Sequence, residues 1–553
     1  MKGDEFIFAP LGGCREIGMN LNAYGYGPAD NRRWIVVDVG VTFGDDTTPG
    51  VDLIMPDPVY LESYAEDIEA IILTHAHEDH IGAIAWLWPK LRAPIYATPF
   101  TAYLVNEKLR ERGLENKAKL HILPLRDKRQ FGPFEVELVT LTHSIPEPNG
   151  LAIRTPLGMV LHTGDWKIDP DPIIGEDFDQ AKIEELGREG ILAMVCDSTN
   201  VFEEGEAGSE GMAREALRRA VAEQTGRVAI TAFASNVARV QSACEAARAN
   251  DRQVCLLGRS MIRVVAAAQS VGLLQDFEFI EPDRAAYLPP QHILYLCTGS
   301  QGEPNAALAR IARGDHPAVK LGSEDTVIFS SRVIPGNERA IGAIQNTLAE
   351  RNIKIVTDRQ FDIHVSGHPC RDELRRMYMW AKPRIAIPVH GERRHIMEHA
   401  RFAKSLQVPE AITPDNGHII RLAPGPVEVI DEVPAGRLHV DGEVLTSDKA
   451  GGMWERRKMA WNGHLAVSLV IAKGKVEDGP IIVARGFSEP DGRPADESLE
   501  PIDEAAERAL DGLKRGDFGD DEKIEKALVR AVRRAAEVEF GKRPLVDVTI
   551  HRI

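Results

Sequence analysis

The sequence predicts a multidomain α/β protein in which a sheet-rich domain is interrupted by a second α/β domain and followed by a small α+β module. Two observations carry this prediction. The chain has 553 residues, too many for one ordinary domain. Its hydrophobic pattern also changes along the chain, from strands and turns, to alternating helices and strands, and back to a strand of the first kind.

The first region, to about residue 170, contains β-branched apolar runs separated by turns, such as "RWIVVDVG", "AIILTH", "FEVELVTLTH" and "GMVLHTGD". Between about 210 and 360, helical patterns ("GMAREALRRAVAEQ", "NVARVQSACEAARAN") alternate with short apolar strands ("RVAITAF", "QVCLLG", "HILYLCTG", "DTVIFSS"). That alternation is typical of a parallel sheet covered by helices. The strand "PRIAIPVHGE" then returns to the first style, which indicates that the middle region is an insertion.

The C-terminal region begins with a connector, "SDKAGGMWERRKMAWNG". The strands "HLAVSLVIAKG" and "PIIVARG", an amphipathic helix around 521–540 and a last strand "LVDVTIHRI" predict a small α+β module. The acidic stretch in this module is interpreted as a solvated face or loop.

Charge and cysteine usage limit the function classes. A net charge of −18 argues against a generic polyanion-binding surface, so a nucleic acid would need a local basic groove. The six cysteines form no CxxC pair, and the N-terminal residues lack the charge pattern of a signal peptide. With no long apolar segment, the chain is expected to be cytoplasmic and to have no membrane partner.

The stretch "LTHAHEDHIGA" concentrates ligand-type side chains directly after an apolar strand. Other candidate ligands also follow apolar strands, whose ends converge at one edge of a sheet. A single histidine beside an apolar run is more often a core or surface residue, but burying this whole cluster needs compensation, which a metal provides. The candidate ligands are His75, His77, Asp79, His80, His143, Asp165 and His390.

This set of imidazoles and carboxylates is large enough for two borderline metal ions that each keep an open position. Two Zn²⁺ ions per subunit bridged by Asp165 and a water would lower the pKa of that water to near 7 and supply a hydroxide nucleophile. Zinc is favoured by the imidazole-rich set, and the carboxylates would also admit Mn²⁺. Glu78 is expected to point elsewhere.

The motifs "THAHEDHIGA", "THSIP", "HTGDWKID" and "PVHGE" resemble the successive motifs of the metallo-β-lactamase fold, an αββα sandwich. The resemblance implies two ligand groups and a bridge. They are His75, His77 and His143 on one zinc, Asp79, His80 and His390 on the other, and Asp165 between them.

The gap between Asp165 and His390, 390 − 165 = 225 residues, holds a whole domain. This arrangement, with Asp197 in "VCDSTN" and the later "HVSGH", resembles the β-CASP nucleases. "PLGGCREIGMN", "CTGSQGEP", "IPGNE", "HVSGHPCRDEL" and "PVHGERRH" further resemble the ribonuclease J family. One departure is Arg332, where that family is expected to carry a small residue or proline beside the RNA path.

The resemblance implies a metallo-β-lactamase sandwich, an inserted α/β β-CASP domain and a small α+β C-terminal domain. The predicted bounds are 1–208 and 363–448 for the two parts of the metallo-β-lactamase domain, 209–362 for the β-CASP domain, 449–462 for a linker and 463–553 for the C-terminal domain.

Catalytic roles are predicted for Asp79, Asp197 and His368. His368 is the candidate general acid that protonates the leaving 3′ oxygen, held near Asp79. The alternative is a structural hydrogen bond at a helix start, because Pro369 would suit a first helical turn. A 5′-phosphate pocket is predicted from two strand-to-helix junctions, of which "TAFASN" also fits ordinary helix capping by Ser235 or Asn236. Its residues are Phe233, Ala234, Ser235, His364, Val365, Ser366, Gly367 and His368.

The resemblance implies a zinc-dependent 5′ to 3′ exoribonuclease and endoribonuclease acting on 5′-monophosphorylated RNA in mRNA decay and rRNA maturation. It also implies a homodimer or homotetramer and leaves RNA-decay protein partners open. One alternative is a small-molecule hydrolase of the same fold, such as a thiolesterase. Another is an inactive RNA-binding scaffold.

Overall fold

The computed structural model describes residues 3–334, 336–447, 451–487 and 495–553. The chain forms two compact units. The first contains the described residues up to 42 together with 55–436, and the second contains 43–54 together with 437–553. The sequence prediction instead placed 43–54 within the first domain and started the last domain at 463. The domain bounds therefore stay a prediction.

The first unit contains two large mixed sheets. The first has eight strands, in the order Glu428–Glu432, His418–Ala423, Glu5–Gly12, Leu21–Gly27, Arg33–Val37, Ile68–Ile72, Ile95–Ala97 and Leu120–Ile122. The second has seven, in the order Lys128–Phe131, Phe134–Thr140, Asn149–Thr155, Gly158–His162, Ile191–Asp197, Ile385–Val389 and Glu410–Ala411.

The two sheets pack face to face around one apolar core. Phe6 and Tyr24 of the first sheet are fully buried with Phe134 and Leu151 of the second, and the rings of Phe6 and Phe134 lie 6.5 Å apart. A second core joins the other face of the seven-stranded sheet to helices, for example through Leu374. The seven-stranded sheet therefore packs against the other sheet on one face and against helices on the other. The predicted αββα layering is confirmed.

The inserted domain leaves the seven-stranded sheet and returns to the neighbouring position. Strands Ile191–Asp197 and Ile385–Val389 pair in parallel, with Ala193 opposite Ile385. Between them lies a separate five-stranded parallel sheet with its own core. Its strand order is Gln253–Leu257, Ile293–Cys297, Val228–Thr231, Thr326–Phe329 and Lys354–Val356.

Helices cover these sheets. Those of the first unit are Val59–Glu62, Glu78–Ile81, Ile84–Leu91, Pro99–Glu111, Gln180–Glu189, Glu210–Ala222, Val237–Arg248, Arg259–Ser270, Pro282–Ala285, Ala307–Arg313, Glu338–Glu350, Arg371–Ala381 and Arg393–Ser405, with 3-10 turns at Ala65–Asp67 and Pro290–His292. A two-stranded parallel ladder, Cys14–Arg15 with Gly391–Glu392, lies beside His390.

Two further sheets include residues of the second unit. One has the strand order Val444–Ser447, Arg437–Asp441, Leu53–Pro56 and Thr42–Phe43, and the other Lys475–Arg485, His464–Ala472 and Leu545–Arg552. Its helices are Gly451–Asn462, Ala495–Asp511 and Asp521–Phe540, with a 3-10 turn at Asp517–Gly519. The predicted connector is therefore helical over residues 451–462.

The acidic stretch was predicted to be a solvated face or loop. Residues 495–511 form a helix whose acidic side chains Glu504, Glu507 and Asp511 are exposed, and residues 488–494 lie outside the described ones. Helix Ala495–Asp511 buries Ile502, Ala506 and Leu510 in the core of the module. These residues are four apart, so they form one apolar stripe among many charges. Within the described residues, no helix is long and apolar enough to cross a membrane.

A buried histidine of this fold predicts a pH effect on stability. His399 is fully buried between the Ser198 hydroxyl at 2.9 Å and the Tyr378 hydroxyl at 3.0 Å, and this burial lowers its pKa from 6.5 to about 4. The unfolded chain therefore binds a proton at His399 below about pH 6.5, whereas the folded chain binds it only below about pH 4. The free energy of unfolding consequently falls as the pH falls through that window.

Between pH 7 and pH 5, urea unfolding of the wild type should lose about 2 kcal/mol more stability than that of His399→Gln. His121→Gln, at an exposed histidine of the same unit, is the matched control and should follow the wild type. Equal losses in the wild type and His399→Gln would show that His399 does not couple folding to pH.

Candidate metal centre and nucleic-acid site

Each predicted metal ligand lies just beyond the C-terminal end of a strand. The ligands from His75 to His80 follow Ile68–Ile72, and the other three follow strands of the seven-stranded sheet. Those three strands run in the same direction, so their ends meet at one edge. The structure brings all seven predicted ligands together there.

One group consists of three imidazoles. The Nδ1 atom of His77 lies 3.2 Å from Nε2 of His75 and 3.0 Å from Nε2 of His143. Tetrahedral coordination with bonds of about 2.0–2.1 Å separates neighbouring ligand atoms by roughly 3.3 Å. The three nitrogens therefore have the spacing of ligands around one ion.

The second group consists of two carboxylates and two imidazoles. Nε2 of His80 lies 3.2 Å from Oδ2 of Asp165 and 3.6 Å from Oδ2 of Asp79. Nε2 of His390 lies 3.5 Å and 3.6 Å from the same two oxygens. Oδ2 of Asp165 is also 4.0 Å from Nε2 of His143 in the first group, so this oxygen lies between the two groups.

The chemistry of these atoms fits divalent cations. Nε2 of His390 is buried and has no hydrogen-bond partner, which is costly unless an ion takes its lone pair. Nε2 of His143 presents a lone pair to the same cavity, because its Nδ1–H donates to the Gly367 carbonyl. Converging lone pairs on neutral imidazoles and carboxylates form a divalent metal site.

A second layer of residues, which sequence reasoning missed, orients these ligands. The Asp38 carboxylate accepts a hydrogen bond from Nδ1 of His80 at 2.7 Å and another from the Thr74 hydroxyl at 2.8 Å. The Thr74 oxygen in turn lies 3.0 Å from Nδ1 of His75. These contacts fix the tautomers so that both Nε2 atoms face the site. Asp38 follows the apolar run "WIVV", the same signal that identified Asp165.

Asn20 was also missed, although it lies in a motif quoted for the family. Its carboxamide oxygen is 3.1 Å from Nδ1 of His390, and its Nδ2 donates to the Asp79 carbonyl oxygen at 3.0 Å. One side chain thereby braces a residue from each of two distant ligand loops. Asp38 and His390 have φ of 63° and 51°, a left-handed conformation that is uncommon outside glycine and is often found at functional sites.

The electrostatics of the two groups differ. Burial lowers the pKa of His77 to about 4 and the pKa values of His75 and His143 well below the ordinary range. Burial also opposes charge on His80, but the neighbouring carboxylates, Asp165 first among them, raise its pKa well above 6.5. The trio is neutral at pH 7 and ready for a cation, whereas His80 must release a proton to bind one.

His368 is hydrogen-bonded to Asp197 and not to Asp79. Its Nδ1 lies 2.8 Å from Oδ2 of Asp197 and 3.9 Å from Oδ2 of Asp165. Burial disfavours its charged form, yet these carboxylates raise its pKa to about 9. Asp197 is itself held by the backbone N–H and hydroxyl of Thr199 at 2.8 and 2.7 Å. A protonated imidazole held in this way is able to donate a proton.

The two predicted phosphate loops contact two neighbouring metal ligands. The Ser235 hydroxyl lies 3.1 Å from Nε2 of His77, and the Gly367 carbonyl accepts from His143. Asn200 donates to the Ser366 hydroxyl at 2.7 Å and to the His368 carbonyl at 2.9 Å. Three of the remaining predicted members are partly buried in the same loops, namely Phe233, Ala234 and His364. The fourth, Val365, is buried.

The structure corrects one local prediction at these loops and decides between two alternatives at the other. Helix Arg371–Ala381 begins after Cys370, its N-cap, so Pro369 precedes the helix and does not lie in its first turn. Ser366 and Gly367 are therefore not directly at the helix start, where Glu373 already accepts from Cys370. In the other loop Asn236, and not Ser235, caps helix Val237–Arg248 by accepting from Arg239. Ser235 is thus released from capping.

The sequence analysis also singled out Glu78 and Arg332. Glu78 points away from the ligands, and its carboxylate pairs with Lys108 at 2.7 Å. Arg332 is exposed and lies 3.4 Å from Glu203, while Gln301 donates to its backbone carbonyl at 2.8 Å. The Arg332 charge contributes to the lowered pKa of His364, to about 3, after burial and Arg239.

Two face-to-face mixed sheets with this ligand edge define a metal-dependent hydrolase of the metallo-β-lactamase fold. Family models agree and extend over most of the chain. They are "Metallo-beta-lactamase superfamily" for residues 22–250, "Ribonuclease J, beta-CASP domain" for 225–348, "Zn-dependent metallo-hydrolase RNA specificity domain" for 352–410 and "Ribonuclease J C-terminal domain" for 452–553.

Among similar proteins is a ribonuclease J of Sinorhizobium meliloti, 45% identical over 100% of this chain and 98% of that protein. A ribonuclease J of Thermus thermophilus is 35% identical over 93% of this chain and 89% of that protein. A crystal structure of a protein of unknown function from Enterococcus faecalis V583 covers 75% of this chain and 100% of its own, with 17% identity and a TM-score of 0.52, and shares the fold.

The chain belongs to the ribonuclease J family. It is therefore a metal-dependent ribonuclease with a metallo-β-lactamase domain and an inserted β-CASP domain, and it binds RNA. A thiolesterase-like hydrolase does not fit these findings.

The close packing around the metal ligands predicts the effect of one glycine substitution. A Cβ on Gly40 would lie 1.6 Å from the Asp79 carbonyl oxygen, so Gly40→Ala must push the turn that carries Asp79 and His80 away from the other ligands. We expect metal affinity to fall about 10-fold to 100-fold, measured by titration of the metal-free protein with Zn²⁺.

Gly342→Ala is the matched control, because nothing lies within 4 Å of a Cβ there and Gly342 sits in helix Glu338–Glu350. It should bind metal like the wild type and be slightly more stable, by about 0.5–1 kcal/mol. Wild-type affinity in Gly40→Ala would show that the turn adapts without moving the ligands.

Proposed function

We propose that this ribonuclease holds two zinc ions per subunit and degrades 5′-monophosphorylated RNA from its 5′ end, with endonucleolytic cutting as a second mode. Its roles would be mRNA decay and rRNA maturation. The observation that carries the proposal is the shared position of Asp165, whose Oδ2 atom lies between two complete ligand groups.

The ligand assignment follows the two groups. His75, His77 and His143 would hold one ion, and Asp79, His80 and His390 the other, with Asp165 bridging. Five imidazoles among seven ligands favour zinc, and the carboxylates would also accept Mn²⁺. When bound, two such cations supply an activated water and neutralise charge on the scissile phosphate.

The protein groups around the ions complete the reaction. We assign His368 as the general acid for the leaving 3′ oxygen, because its raised pKa keeps it protonated and Asp197 fixes its orientation. Asp79 is 28% exposed at its side chain and is therefore accessible to substrate. A purely structural role for His368 predicts instead that His368→Gln lowers stability and leaves the pH dependence of cleavage unchanged.

The 5′ end would be held by the two loops that flank the ligands. Ser235 touches His77 and Gly367 touches His143, so a phosphate bound between the 233–235 and 364–367 loops would lie next to the ions. A terminal phosphate held at a fixed distance from the reacting centre gives release of one nucleotide at a time. A 5′ triphosphate would be too large for the same position.

The remaining alternative, an inactive RNA-binding scaffold, is disfavoured because no ligand of either group is missing. We also propose a cytoplasmic enzyme. All six cysteines are unpaired and buried, as expected in a reducing compartment.

The test is digestion of one RNA that is labelled at its 5′ nucleotide and carries a monophosphate or a triphosphate there. The wild type should release labelled mononucleotide rapidly from the monophosphate and slowly from the triphosphate. His77→Ala removes a ligand from the first group and should slow release at least about a hundredfold.

The control for this test is His121→Ala, an exposed histidine outside the ligand groups, which should act like the wild type. If the wild type cuts RNA only internally, the 5′-end part of the proposal fails while the metal site stands. If His77→Ala retains full activity, the ligand assignment fails.

We further propose a homodimer or homotetramer that uses the C-terminal module. Strand Lys475–Arg485 is an edge strand with Ile481 and Val483 exposed, and exposed apolar edges are prone to pair with a second copy. Ile481→Lys should lower the particle mass measured by light scattering, with Lys475→Ala as control. An unchanged mass would place the interface elsewhere. RNA-decay protein partners would be sought by co-purification.

A further inference from the structure

Arg239 is a fully buried arginine near the predicted 5′-phosphate pocket, and it contacts none of the metal ligands. Its side chain and that of Glu210 are 1% and 2% exposed, and their charged groups lie 3.0 Å apart. The two N–H groups of Nη1 are shared among three acceptors, the Ser330 hydroxyl at 2.7 Å, the Ser330 carbonyl at 3.1 Å and the Ile363 carbonyl at 2.7 Å. One side chain thus joins three separate chain segments.

Those segments carry both halves of the predicted pocket. Ile363 directly precedes the 364–367 loop. The other half, the 233–235 loop, ends at Asn236, whose side chain accepts from the Arg239 backbone N–H at 2.8 Å and donates to Glu210 at 3.0 Å. The Arg239–Glu210 pair therefore anchors the two loops that contact His143 and His77.

The same network continues to the strand-end loop behind Asp165. The Glu210 backbone N–H donates to Asp169 at 3.0 Å, and Asp169 pairs with the buried Lys167 at 2.8 Å. Two cations and two carboxylates are thus buried as matched pairs. A buried ion pair adds little net stability. It does hold its two partners in one geometry, because displacing either partner leaves an unsatisfied charge. This favours a positioning role over a purely stabilising one.

We propose that Arg239 is a positioning residue that fixes the spacing between the 233–235 and 364–367 loops and so sets the preference for a 5′ monophosphate over a 5′ hydroxyl. The inference rests on the proposed 5′-end function. The inference depends on the geometry of the Arg239 guanidinium. This planar group donates to Glu210 from one edge and to two carbonyls from the other.

The test compares Arg239→Lys with the wild type as full chains. Lysine keeps the charge opposite Glu210 but cannot reach the Ser330 and Ile363 carbonyls together. For 5′-monophosphorylated RNA we expect KM to rise about tenfold to a hundredfold, and the ratio of kcat/KM values for monophosphate and hydroxyl ends to fall toward one. Cleavage of a circular RNA, which has no 5′ end, should fall far less.

Ser330→Ala is a milder second variant in case Arg239→Lys folds poorly. The Ser330 hydroxyl also donates to the Ile363 carbonyl at 2.7 Å, so its removal loosens the same loop and keeps the buried ion pair. It should reduce the monophosphate preference in the same direction and by a smaller factor.

The chain offers a matched control in Arg252. This buried arginine of the same inserted domain donates to the Gly226 carbonyl at 2.7 Å and the Ile293 carbonyl at 3.1 Å, at the opposite edge of the five-stranded sheet. Arg252→Lys removes comparable hydrogen bonds far from the pocket. It should lower the melting temperature and leave the monophosphate preference unchanged.

The outcomes separate this inference from the proposed function. If the wild type does not prefer a 5′ monophosphate, the proposed function has failed. If the wild type prefers it and Arg239→Lys, folded by circular dichroism, keeps the full preference, the positioning role is refuted. If Arg252→Lys loses the preference equally, the effect comes from general destabilisation and the inference is likewise overturned.

Discussion

The structure depends on the burial of many ionisable side chains at one edge of a two-sheet core. His75, His80, Asp165 and His390 are almost inaccessible to water. Without a cation, their desolvation and the close approach of their lone pairs would oppose folding. A divalent ion attracts these lone pairs, so their close approach becomes favourable. Metal binding and the local fold therefore stabilise each other. The hydrogen bonds from Asp38, Thr74 and Asn20 orient the imidazoles so that their lone pairs point into the site.

The sheet topology brings the ligand residues together at this edge. Parallel strands place their carboxyl ends side by side, so a ligand set can be spread over distant parts of the chain and still converge. Two of the left-handed residues outside glycine lie at this edge. Asp38 and His390 are left-handed, and the backbone N–H of His390 donates to the Gly13 carbonyl at 2.7 Å, which holds that conformation.

The sequence predicts the layers and the clustering of the candidate ligands well, because their signals are local: apolar runs of strand length followed at once by histidine or aspartate. It predicts their partners poorly. Asn20 acts on His390 across 370 positions, and no pattern near either residue announces the contact. Helix Ala495–Asp511 was hidden for another reason, since its buried stripe of Ile502, Ala506 and Leu510 is diluted by charges. The start of helix Arg371–Ala381 was misplaced because Pro369 fits two positions equally well.

The protein uses two different solutions for buried charge, and the difference bears on how its domains cooperate. At the metal edge like groups converge and need an external ion. Where the inserted domain meets the strand-end loop behind Asp165, the pairs Lys167–Asp169 and Arg239–Glu210 are matched internally and need none. An apolar contact tolerates small sliding, whereas a buried guanidinium bound to two carbonyls does not. An inserted domain anchored in this way presents its loops to the metal ligands at a fixed distance, which a reaction measured from the end of a substrate requires.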